Sequence, residues 1–178
     1  RGEGMFDTMS GFGVHEVLKY DSARSDDIRR VLHQWKSRFP ELRGMPDLRY
    51  LTLFFDDSGS AQMIGTPAVP RRVSEEIAAA YAYFQSKERC VFCDVLESER
   101  AERLVAENDH VSVIAPYASR FPYEMWVLPK NHASHFEDSD DRVIQDLAEL
   151  LARICATLSE ISPGGFFGFV LHTAPTHE

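Results

Sequence analysis

"SDDRVIQDLAELLARICATLSE", residues 139–160, is the stretch on which the reading of the fold turns. Val143, Leu147, Leu150, Ile154 and Leu158 recur at three- and four-residue spacing, the period of one helix face. The acidic opening suits the positive end of a helix, and Pro163-Gly164-Gly165 stops the run. "FFGFVLH" (166–172) then reads as a strand, and "YEMWVLPK" (123–130) as the strand before the helix. The same order occurs earlier. "VHEVLKY" (14–20) is a strand and "SDDIRRVLHQWKSRF" (25–39) a helix capped by Ser25, with an apolar face of Ile28, Leu32, Trp35 and Phe39; "RYLTLFF" (49–55) is the next strand. Two strand–helix–strand blocks, each opening its helix with Ser-Asp-Asp, point to an internal duplication.

Between the blocks, "SEEIAAAYAYFQSKERC" (74–90) reads as a linking helix and "HVSVIAPY" (110–117) as a strand. Strands rich in Val, Ile and Phe beside amphipathic helices predict an α+β architecture, a sheet with helices packed on it. The chain has 178 residues, 44% of them hydrophobic, and a net charge of −9. That charge argues against non-specific nucleic-acid binding, which needs Lys and Arg to neutralise phosphates. No apolar run approaches the roughly 20 residues that cross a bilayer, so no membrane role is expected. Three cysteines are too few for a disulfide framework in a chain this long, and a cytoplasmic setting is expected.

The chemistry-bearing residues begin with Cys90 and Cys93 in "RCVFCD". C-x-x-C can bring two thiolates to one tetrahedral zinc, act as a redox pair, or pack as two small residues. Placed after a helix and before an acidic stretch, the pair is not where thioredoxin-type redox chemistry puts it. Candidate partners for a metal are His132 and His135 in "LPKNHASHFED" and His172 at the end of the last strand. Cys155 reads as core packing, and so do the aromatics Tyr117, Phe121, Tyr123 and Trp126. The role of His15, inside a strand, is open.

"GEGMFDTMSGFGVHEV", "IGTPAVPRRVSEE", "RCVFCD", "ENDHVSVIAPYASRFPYEMWVLPKNHASHFED" and "FVLHTAP" together resemble the galactose-1-phosphate uridylyltransferase family of the histidine-triad superfamily. The resemblance implies two tandem histidine-triad-like halves with an antiparallel sheet. The expected boundaries are 1–73 for the first half, 74–89 for the linking helix and 90–178 for the zinc-bearing second half. It implies a nucleotidyltransferase that moves a nucleoside monophosphate from a nucleotide sugar to a sugar phosphate through a covalent nucleotidyl-histidine. It also implies zinc held by Cys90, Cys93 and His132 with a later histidine, His172 being the candidate within the chain, and a homodimer. Gln62 falls at the family glutamine that hydrogen-bonds the phosphate.

The departures are equally specific. Where the family has His-x-His before that glutamine, this chain has Ser58-Gly59-Ser60, with Ser60 at the nucleophile's own position. A serine hydroxyl with no adjacent base is a poor nucleophile at neutral pH. The family's Asn- and Gly-rich phosphate loop before it is missing, and so is a Thr-Pro-x-His segment after "HEVLKY". The chain is therefore expected to be a truncated or degenerate member. The alternative function is a non-catalytic, zinc-stabilised module that binds a nucleotide or a protein.

Overall fold

The computed structural model describes residues 7–9 and 13–176; the rest of the opening "GEGMFDTMSGFGVHEV" stretch and residues 177–178 lie outside the described residues. In chain order the elements are β1 (Asp7–Met9), β2 (Gly13–Lys19), α1 (Ser25–Arg43), β3 (Tyr50–Asp56), β4 (Ser60–Thr66), α2 (Arg71–Lys87), α3 (Val91–Arg103), β5 (Leu104–Glu107), β6 (Val111–Ile114), β7 (Trp126–Pro129), α4 (Asp141–Ile161) and β8 (Gly168–His172). The strand pairings of the described residues are antiparallel, so the α+β class with an antiparallel sheet holds. The chain divides into two compact units. One joins the residues up to Val69 with those from Ser134 onward, and the other is Pro70–Ala133.

The first unit is built on a five-stranded sheet of order β1-β2-β4-β3-β8. Side chains alternate across each strand. Leu18, Leu51, Leu53, Phe55, Ala61 and Met63 are buried, as are the apolar faces of α1 and α4, which pack on each other. The expected face of α1 is confirmed: Ile28, Leu32, Trp35 and Phe39 are each 0–1% exposed. Burying a side chain of this size stabilises by about 1.5–3 kcal/mol. On α4 the stripe is rotated from the expected one. Ile144, Ala148, Leu151 and Cys155 face inward with Leu150 and Ile154, while Val143, Leu147 and Leu158 lie at its half-buried margin. The buried face includes the small residues Ala148 and Cys155, which a pattern of large apolar residues alone does not show.

The two Ser-Asp-Asp openings are used differently. Asp140 caps α4, its carboxylate accepting from the N–H groups of Arg142 and Val143. In α1, Ser25 is already inside the helix, Arg24 takes the cap position without a side-chain bond, and Asp27 accepts from the Asp21 N–H.

Strand β4 runs through "SAQMIGT", which has few residues of high β-propensity. It is formed because it pairs on both sides, with β2 and with β3. The β3–β4 turn has three residues, Asp57 to Gly59, and Gly59 adopts φ +80°. This is the positive-φ end position that three-residue hairpin loops favour. One carboxylate oxygen of Asp56 accepts from the Ser58 N–H, the Ser58 hydroxyl and the Ser60 N–H. The Ser58 hydroxyl bond, followed by the backbone bonds, holds the Asp56 carboxyl below its ordinary range.

The second unit has a three-stranded sheet, β5-β6-β7, with helices α2 and α3. Helix α2 ends at Glu88 in the left-handed conformation, and Cys90 is the N-cap of α3. The acidic stretch that the sequence places after the cysteine pair is itself helical, so the pair stands at a helix N-terminus, where the sequence pattern does not put it. "DVLESERAER" is rich in good helix formers and continues as α3. The aromatic cluster is corrected too: Tyr117, Phe121 and Tyr123 are 79%, 57% and 63% exposed. No helix of the described residues is long and apolar enough to cross a membrane.

Candidate functional site

Two sets of residues stand out, one in each unit. In the second unit Cys90, Cys93 and His132 bring their ligating atoms within 4.8 Å of one another. Cys93 Sγ lies 3.3 Å from His132 Nδ1. The turn between α2 and α3 sets the thiols. Arg89 pairs with both Asp94 and Glu97, the Tyr83 hydroxyl donates to Asp94, and the Asp94 N–H donates to the Cys90 carbonyl. His132 follows β7, two residues after Lys130, whose N–H donates to the His110 carbonyl and whose ammonium pairs with Glu107.

The donor set suits zinc. With Zn–S near 2.3 Å and Zn–N near 2.0–2.1 Å, tetrahedral coordination places ligand atoms about 3.4–3.8 Å apart. The cluster is within a small contraction of that. Two thiolates and an imidazole would supply three ligands, and a zinc there would tie α3 to the loop after β7. Cys90 caps helix α3. Partial burial, followed by the hydrogen bond from Cys90, pushes the Cys93 thiol up from its ordinary value. His135 bonds to the Ser134 hydroxyl. His172, the other metal candidate, belongs to the first unit, where its Nδ1 is 2.6 Å from the Tyr50 hydroxyl.

The second set lies on the sheet of the first unit, on the face opposite the buried one. Gln62 of β4 and Val17 of β2 are register partners, as are Ser60 and Lys19. The alternation puts His15, Val17, Lys19, Ser60 and Gln62 on this face. His15 is half-buried, its Nε2 3.2 Å from Gln62 Oε1. Ser60 is 8% exposed, and the Lys19 ammonium donates to its hydroxyl at 2.6 Å. The neighbour the fold gives Ser60 is an ammonium that donates to it, not a base, so the reading of Ser60 as a poor nucleophile stands. Lys19 was invisible to sequence reasoning because only the β2–β4 register, across 41 positions, brings it there.

A cleft of about 440 Å³ lies between α1 and the start of α4. Two contacts between charged groups lie in it, Arg43 with Glu137 at 3.7 Å and His33 with Asp141 at 3.9 Å, and it shares no residue with either set.

No family profile matches the chain. Among curated proteins, ADP-glucose phosphorylase of Arabidopsis thaliana is 28% identical over 185 residues, covering 94% of this chain and 52% of that protein. Galactose-1-phosphate uridylyltransferase of Thermotoga maritima is 26% identical over 194 residues, covering 99% of this chain and 61% of that protein. Among solved structures, a GalT-like protein of Arabidopsis thaliana superposes with a TM-score of 0.86 at 26% identity, covering 96% of this chain and 62% of its own. A uridylyltransferase structure gives 0.86 at 23% identity, covering 98% and 62%, which bears on the fold alone. The resemblance read from the sequence thus holds in sequence and in structure, at modest identity and over nearly the whole chain. The chain spans about half to three-fifths of the length of the curated relatives it matches.

Proposed function

We propose that this chain carries the nucleotide-sugar site of a nucleotidyltransferase-type protein, with its phosphate face on β2 and β4 and a structural zinc at Cys90, Cys93 and His132. The observation that carries the reading is Gln62, at the family's phosphate-binding position, standing on a half-exposed sheet face with its side chain fixed by His15. In the leading form a nucleoside monophosphate passes from a nucleotide sugar to a sugar phosphate or to phosphate. The names of the relatives support both acceptors, a uridylyltransferase and a phosphorylase. A cytoplasmic homodimer fits the same reading.

A second reading is favoured by Ser60, which stands in the nucleophile's place with its oxygen engaged by Lys19. It is a module that binds the nucleotide sugar and performs no covalent transfer. One experiment decides between them. The protein is incubated with UDP-glucose or ADP-glucose labelled at the α-phosphate, denatured, and tested for acid-labile, base-stable label. Label on the chain, with release of sugar phosphate, supports the transferase. Bound nucleotide sugar that washes off completely on denaturation supports the module.

A further inference from the structure

The cleft between α1 and the start of α4 lies wholly in the first unit. Its two walls carry opposite charge. Lys36, Pro40 and Arg43 lie on one stripe of α1, and Glu137, Asp138 and Asp141 come from the chain that leads into α4. Some of these charges are already engaged: the Lys36 ammonium donates to the Ser139 carbonyl, and Asp141 has His33 beside it. Glu137 differs. Its side chain is 8% exposed, and Oε2 accepts from the Thr173 hydroxyl at 2.9 Å, which fixes the carboxylate. Oε1 has no hydrogen-bond partner. Arg43 Nη1 stands 3.7 Å from it, too far for a hydrogen bond, on a side chain that is half-exposed. A buried carboxylate oxygen without a donor is costly, and each such case calls for a cause. A second acceptor of the cleft lacks its usual donor. Pro40 has no N–H, so the Lys36 carbonyl loses the helical bond it would otherwise receive. Both missing partners are donors. Among the described residues, no three His, Cys, Asp or Glu groups of this cleft gather at metal-ligand spacing, so the fit is to the N–H groups of an organic cation.

We propose that this cleft binds the zwitterion of a small α-amino acid, its ammonium beside Glu137 Oε1 and the Lys36 carbonyl, its carboxylate on the guanidinium of Arg43. The ammonium brings three donors and a positive charge in a small volume, and the Arg43 fork matches a carboxylate. An α-amino acid carries both groups on one carbon, so one ligand completes both members of a pair that the chain leaves 3.7 Å apart. A zwitterion also enters an ion pair without changing its net charge. A simple amine would set a like charge against Arg43, and a simple anion would set one against Glu137. The site shares no residue with the β2–β4 face and does not depend on how that face is read.

Isothermal titration of the full chain with glycine, L-alanine and L-leucine tests it, beside N-acetylglycine, which lacks the ammonium, and ethylamine, which lacks the carboxylate. The variants are Glu137→Gln, Arg43→Met and, as a charge control on α2, Lys87→Met. Saturable binding of at least one of the three amino acids is expected, with both analogues about tenfold weaker or more. Glu137→Gln and Arg43→Met should each weaken binding about tenfold or more, the worth of a charge-assisted hydrogen bond, and Lys87→Met should leave it unchanged. Glu137→Gln keeps an oxygen for the Thr173 hydroxyl, and a urea midpoint near the parent's separates a lost contact from a lost fold. If that variant does not fold, half-exposed Arg43→Met decides alone. No saturable binding of any of the three amino acids overturns the proposal. An analogue that binds as tightly as the amino acid overturns the zwitterion, and undiminished binding by the folded variants overturns the site.

Discussion

At the scale of single residues, the three cysteines occupy three different environments. Cys155 sits 2% exposed on the inner face of α4, and burial pushes its thiol up to about 11. An ordinary thiol titrates near 8.5, so at roughly pH 8 the thiolate fraction of Cys155 is far below that of a free cysteine. Iodoacetamide should therefore alkylate metal-free native protein at Cys90 and Cys93 and reach Cys155 only after unfolding, as peptide mass mapping would show. The identity of the metal candidates was legible in the sequence because C-x-x-C is a short-range motif. His132 was legible through the resemblance, which placed it beside the pair across 39 positions. Lys19 was not legible by either route. Nothing within its own segment marks it, and its significance depends on the strand register that sets it against Ser60.

At the scale of elements, the β3–β4 hairpin concentrates its constraints in three turn residues. A Cβ at Gly59 would lie 2.8 Å from the Tyr20 carbonyl oxygen and would have to adopt φ +80°. Gly59→Ala should destabilise the chain by about 1–2 kcal/mol, seen as a lower midpoint in urea. Asp140→Ala removes the acceptor for two N–H groups at the start of α4 and should cost about 1 kcal/mol in the same measurement. Ser25→Ala should cost markedly less, because Ser25 does not cap α1. The long helices were legible because their apolar period repeats over several turns. Strand β4 and helix α3 were not. The residues of β4 take strand geometry from partners on both sides, and α3 buries no residue deeply enough to leave a periodic signature.

At the scale of the whole molecule, two compact units share one chain, and the candidate zinc lies wholly within Pro70–Ala133. Chelation by EDTA should raise amide hydrogen exchange in that segment, most at α3 and the loop after β7, and leave the five-stranded sheet nearly unchanged. Equal acceleration in both units would show that the metal site stabilises more than its own unit. The five-stranded sheet has a further consequence through the pairing of β3 with β8, where the Thr52 hydroxyl donates to the Leu171 carbonyl 119 residues away. On the ribosome, at about 5–20 residues per second, the edge of β3 waits roughly 6–24 s for its partner. Through that interval "YLTLFF" offers unpaired N–H and C=O groups beside an apolar surface, the feature that templates aggregation. Protein yield during synthesis should thus depend on chaperones that shield an unpaired strand, more than the stability of the finished fold would suggest.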